Sequence, residues 1–143
     1  MVMRALDFMK KAHEGQTRWD GSPYWKHPEQ VANILKSWKI DDPNVIIAAY
    51  LHDVLEDTKV TYNEICMEYG FKVVGLVQEL TFPKNVSDSD YFEQCYLMSN
   101  EAKLIKIADI LSNITDISSN KSHKFTKKRL EALNVLTESI RLD

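Results

Sequence analysis

The chain has 143 residues, 44% of them hydrophobic and 27% charged, a length and balance that suit one continuous core, so residues 1–143 read as a single domain. A formal net charge of −3 supplies no basic excess, which argues against binding to extended nucleic acid. Residues 1–7 lack the apolar run of a signal peptide or spanning segment, so the expected setting is cytoplasmic, without membrane association.

Only four glycines and four prolines interrupt helix-spaced apolar residues, and the pattern predicts an all-α bundle of seven or eight helices. A first helix spans 2–13, and residues 15–24, with Asp20-Gly21-Ser22-Pro23, form a structured loop. Pro28 opens the second helix. Asp42-Pro43 starts the third, with a side-chain cap and a preset φ. Val45, Ile46, Ala48, Ala49, Leu51, Val54 and Leu55 make that helix the central, buried one. Thr61-Tyr62-Asn63-Glu64 fits a capping box, Gly70 a helix stop, and residues 71–80 a further helix. The polar stretch 83–90 reads as a connection bordering a pocket. Helices around 91–98, from 100 to about 117, and from about 124 complete the chain. Cys66 and Cys95, widely spaced within amphipathic stretches, read as buried thiols rather than a disulfide framework.

The chemistry is concentrated in His52-Asp53-Val54-Leu55-Glu56-Asp57. On one continuous helix this segment pairs His52 with Glu56 and Asp53 with Asp57 at i,i+4. Four such side chains beside the apolar Ala48-Ala49-Tyr50-Leu51 are costly to bury unless they are paired, hydrogen-bonded or bound to a cation. His52 and Asp53 cannot complete a site alone. His27, just before Pro28, and Asp109, within the apolar run from Leu104 to Leu111, are the best remaining candidates for a two-histidine, two-aspartate set.

In order and spacing, Ala12-His13-Glu14-Gly15-Gln16, Arg18, Asp20-Gly21-Ser22-Pro23-Tyr24, His27-Pro28, Leu51 to Thr58 and Lys103 to Asp109 resemble the HD superfamily. The similarity is greatest to the hydrolase domains of RelA/SpoT proteins and to small alarmone hydrolases. The resemblance implies an HD-type helical bundle in which His27, His52, Asp53 and Asp109 bind manganese and Glu56-Asp57 acts on the attacking water. A mixed imidazole and carboxylate set suits manganese, then iron or magnesium, and the lack of thiolates weighs against structural zinc.

The resemblance also implies removal of the 3′-pyrophosphate from guanosine tetraphosphate or pentaphosphate, with Arg18 against the purine and Asn113 against the nucleoside; Lys84 is a candidate for the distal phosphates. Trp19 stands where many relatives carry lysine, and Ile110 and Ser112 depart from the usual motif after the aspartate. These departures keep two other readings open: an HD phosphohydrolase for another nucleotide, such as an adenine analogue or phosphorylated dinucleotide, and a non-hydrolytic nucleotide-binding module. His13 reads as support for the site, while Trp19, Tyr24 and Trp25 either wall the pocket or pack. Lys103 and Lys106 read as lysines covering apolar surface, outside the site, and the oligomeric state is left open.

Overall fold

The computed structural model describes residues 2–115 and 123–141, and among them every regular element is a helix. The helices are α1 (Val2–Ala12), α2 (Lys26–Ser37), α3 (Pro43–Leu51), α4 (Val54–Asp57), α5 (Tyr62–Tyr69), α6 (Phe71–Glu79), α7 (Asp88–Leu97), α8 (Asn100–Thr115) and α9 (His123–Ser139). α3 lies at the centre, against α1, α2, α6 and α8, and all of its residues from Val45 to Leu51 are buried. A helix apolar on every side needs neighbours on every side. Truncating fully buried Leu51 to alanine is expected to cost about 2–5 kcal/mol.

The chain starts and stops its helices by local chemistry. The Asp42 carboxylate accepts from the Asn44 amide at 2.9 Å ahead of Pro43. Thr61 and Glu64 form a reciprocal capping box, and Gly70 ends α5 with φ 91°. α7 begins at Asp88, ahead of the predicted 91, because the Ser87 hydroxyl caps it by accepting from the Asp90 amide. α2 likewise starts at Lys26, before Pro28. Of the predicted long helix to about 117, residues 116 and 117 lie outside the described ones. No described helix is long and apolar enough to cross a membrane.

One expectation is corrected. Residues 52–57 do not continue the central helix: α3 ends at Leu51, His52 and Asp53 form a turn, and the short α4 restarts at Val54. The cause is the His52 ring, whose Nδ1 donates to the Ala49 carbonyl at 2.7 Å. That ring bond competes for a carbonyl that would otherwise serve the ladder, and Asp53 adopts φ −105°, ψ −1°, the sparsely populated bridge region. The loop of residues 15–24 is ordered by an isolated antiparallel bridge between Thr17 and Pro23 and by an Asp20 carboxylate that accepts from the Ser22 amide and hydroxyl.

Candidate metal centre and its cavity

The turn at His52-Asp53, the start of α2 and the middle of α8 bring four side chains to one focus. His27 Nε2 lies 2.8 Å from Asp109 Oδ1 and 3.9 Å from Asp53 Oδ2; His52 Nε2 lies 3.0 Å from Asp53 Oδ2 and 3.3 Å from Asp109 Oδ1. Both imidazoles and Asp109 are buried, and Asp53 is only partly open. His52 Nδ1 must carry its proton, because the Ala49 carbonyl can only accept. Its Nε2 is buried and makes no well-formed hydrogen bond, although two carboxylates face it. A buried nitrogen without a well-formed hydrogen bond beside two carboxylate oxygens fits a divalent cation, and the second histidine and both aspartates complete a nitrogen and oxygen donor set.

Each carboxylate is also held by a group outside the tetrad. Lys106 Nζ contacts the other oxygen of Asp109 at 2.9 Å, and Tyr24 donates its hydroxyl to Asp53 Oδ2. Burial opposes both charges of the Lys106–Asp109 pair, but their mutual attraction overrides it, holding the ammonium well above its ordinary range and the Asp109 carboxyl well below its own. Burial and the adjacent Asp53 push the Tyr24 phenol far up, so Tyr24 keeps its proton and acts as a donor. Lys106 also lies 4.9 Å from the ring centre of Phe82 and 5.5 Å from that of Tyr91. It therefore belongs to the site, contrary to the surface role expected from the sequence. The readable signal was a lysine three residues before Asp109 in an otherwise apolar run, a buried cation in need of a partner.

Outside the tetrad, Glu56 and Asp57 reach a cavity of about 440 Å³ that also exposes His27, Asp53 and Asp109. Asp53, Glu56 and Asp57 present carboxylate oxygens within 4.8 Å of one another. Glu56 accepts from the Phe82 amide at 2.5 Å through Oε1, which fixes one oxygen and leaves Oε2 uncommitted. Burial raises both the Glu56 and Asp57 carboxyls above the usual range, and the neighbouring carboxylates add to it. Gln16 donates to the Asp57 carbonyl at 2.7 Å and bonds to fully buried His13 at 3.0 Å, so His13 supports the end of α4.

Arg18 and Asn113 line the same cavity and meet each other at 3.4 Å. Lys84 does not reach it; it lines a separate groove along Pro83 to Ser87 and α7. Among the described residues, the cations facing the cavity are Arg18, Lys106, Lys128 and Arg129. Trp19 and Tyr24 wall it, whereas Trp25 packs on the core beneath Lys10, 4.4 Å from its ring.

The sequence pattern of the HD domain family matches residues 5–138. The chain belongs to the HD domain family. Its relatives include the human guanosine-3′,5′-bis(diphosphate) 3′-pyrophosphohydrolase MESH1, 39% identical over 124 residues, 82% of this chain and 69% of that protein. The bifunctional (p)ppGpp synthase/hydrolase SpoT of Escherichia coli is 35% identical over 136 residues, 88% of this chain but 19% of SpoT. A solved structure, described as a metazoan ortholog of SpoT that hydrolyzes ppGpp and plays a role in starvation responses, superposes with TM-score 0.84 at 29% identity, covering 98% of this chain and 85% of that one.

Proposed function

We propose that this HD protein is a manganese-dependent phosphohydrolase that removes pyrophosphate from the 3′ position of (p)ppGpp. The observation that carries the reading is the convergence of His27, His52, Asp53 and Asp109 at the edge of a cavity that also holds Glu56 and Asp57. Relatives sharing about a third or more of the sequence are named for this reaction, which supports the choice of substrate.

A divalent cation at the tetrad supplies Lewis acidity toward phosphoryl oxygens and toward water. The rest of the chemistry falls to the chain. Glu56, anchored by the Phe82 amide, holds Oε2 ready to take a proton from the nucleophile, and burial, by raising its affinity for protons, makes it a stronger base than an exposed carboxylate. Asp57, fixed through its carbonyl by Gln16, orients the same water. Lys106, Lys128 and Arg129 place positive charge where a polyanionic tetraphosphate or pentaphosphate nucleotide brings its phosphates. Arg18 offers a planar cation for a purine face, tethered by Asn113.

The test is turnover. Protein stripped with a chelator and reloaded with manganese should release pyrophosphate from guanosine tetraphosphate, and Glu56→Gln should slow release by orders of magnitude while retaining the metal. Turnover of an adenine or dinucleotide substrate but not of the guanine one would reject the substrate and keep the phosphohydrolase. Nucleotide binding without turnover of any substrate would reject the enzyme in favour of a binding module.

A further inference from the structure

The two imidazoles of the tetrad are held in different ways. His52 is fixed by a main-chain carbonyl, which no substitution removes. His27 depends on side chains alone: its Nδ1 lies 3.0 Å from Ser112 Oγ, and the Ser112 hydroxyl donates to Gln30 Oε1 at 2.6 Å. Ser112 is fully buried on α8, three residues beyond Asp109. Gln30 is half-buried on α2 and lines a neighbouring polar cavity of about 460 Å³.

The direction of this chain of bonds follows from its end. Gln30 Oε1 only accepts, so the Ser112 proton is committed to it and Ser112 Oγ faces His27 as an acceptor. A neutral His27 that donates from Nδ1 to Ser112 has Nε2 without a proton, the form that can bind a metal. The opposite tautomer is within reach, because Nε2 lies 2.8 Å from Asp109 Oδ1 and could donate to it, which would block the nitrogen as a ligand. We infer that Ser112 and Gln30 are positioning residues for the metal centre, a two-step relay that selects the metal-binding tautomer of His27. The inference rests on the metal reading above. It gives a use to Ser112, a departure from the family motif, and it joins α2 to α8 at the point where both carry a ligand.

The experiment compares wild type with Ser112→Ala, Gln30→Met and Gln30→Glu. Manganese affinity is read by calorimetric titration, and the His27 tautomer by nitrogen-15 NMR of the metal-free protein. Ser112→Ala and Gln30→Met should each weaken manganese binding by about 10–100-fold and shift His27 toward the tautomer protonated on Nε2. Gln30→Glu, which keeps an acceptor, should restore both readouts, and Ser112→Ala combined with Gln30→Met should lose no more than Ser112→Ala alone. Gln30 is half-buried and outside the apolar core, so its variants decide the matter even if Ser112→Ala folds poorly. Wild-type manganese affinity and an unchanged His27 tautomer in both weakening variants would overturn the relay while leaving the metal centre standing. A wild-type protein that takes up no manganese would sink the metal reading and the relay with it.

Discussion

At the floor of the cavity each side chain facing the focus is held by a further group: His52 by Ala49, His27 by Ser112, Asp109 by Lys106 and Asp53 by Tyr24. At the rim, Trp19 is 47% exposed, Arg18 and Asn113 hold each other at 3.4 Å, and Lys128 divides itself between the exposed Asp88 carboxylate and the Tyr91 ring. Buried polar groups must be paired, so the floor is over-determined and tolerates little change. Exposed, long side chains are screened and mobile in their rotamers, so the rim can vary while the floor persists.

The largest effect that sharpens this contrast should come from Asp109→Ala. It removes a proposed ligand and leaves Lys106 buried without its carboxylate, so manganese binding and turnover should fall below detection, with a loss of about 3–5 kcal/mol in chemical denaturation. Glu56→Gln comes next. Turnover should drop by about 10²–10⁴-fold with manganese stoichiometry intact. The metal-free protein should also melt no lower, and slightly higher near neutral pH. A carboxyl whose proton affinity is raised in the fold opposes folding once ionised, and this penalty disappears as pH falls through its folded pKa or when glutamine replaces it. A clear fall in melting temperature would contradict that reading.

Lys106→Met should act on stability before chemistry. With the pair broken, the metal-free protein should lose about 3 kcal/mol, and the gap in melting temperature between chelated and manganese-loaded protein should widen, because a cation then neutralises Asp109. An unchanged gap would mean that Lys106 and the ion do not share that carboxylate. At the rim, Arg18→Ala should raise KM about tenfold with little change in kcat, as the loss of one stacked cation allows. Lys84→Ala, remote from the cavity, should leave steady-state kinetics at the wild-type level. A rim variant that matched the floor variants in effect would break the contrast.

The sequence made most of the floor legible for the same reason that the floor is rigid. Two histidines and two aspartates embedded in apolar stretches are expensive unless they meet, and the helical patterning, the capping box at Thr61 and the cap at Asp42 all read directly from residue chemistry. What did not read was geometry that depends on a tertiary choice. The break after Leu51 arises when the His52 ring takes a backbone carbonyl, a competition that periodicity cannot register. Lys106 looked like a surface lysine until α8 proved buried there, and Ser112 looked like a lost motif position until His27 was found beside it. Lys84 sits in a turn-rich stretch whose sequence names the loop but not the direction it faces.

Crystals loaded with manganese and measured at its absorption edge test the central claim most directly. One anomalous peak per chain should fall about 2.0–2.3 Å from His27 Nε2, His52 Nε2 and carboxylate oxygens of both Asp53 and Asp109. A peak that sits elsewhere, or that touches fewer than these four side chains, would contradict the account.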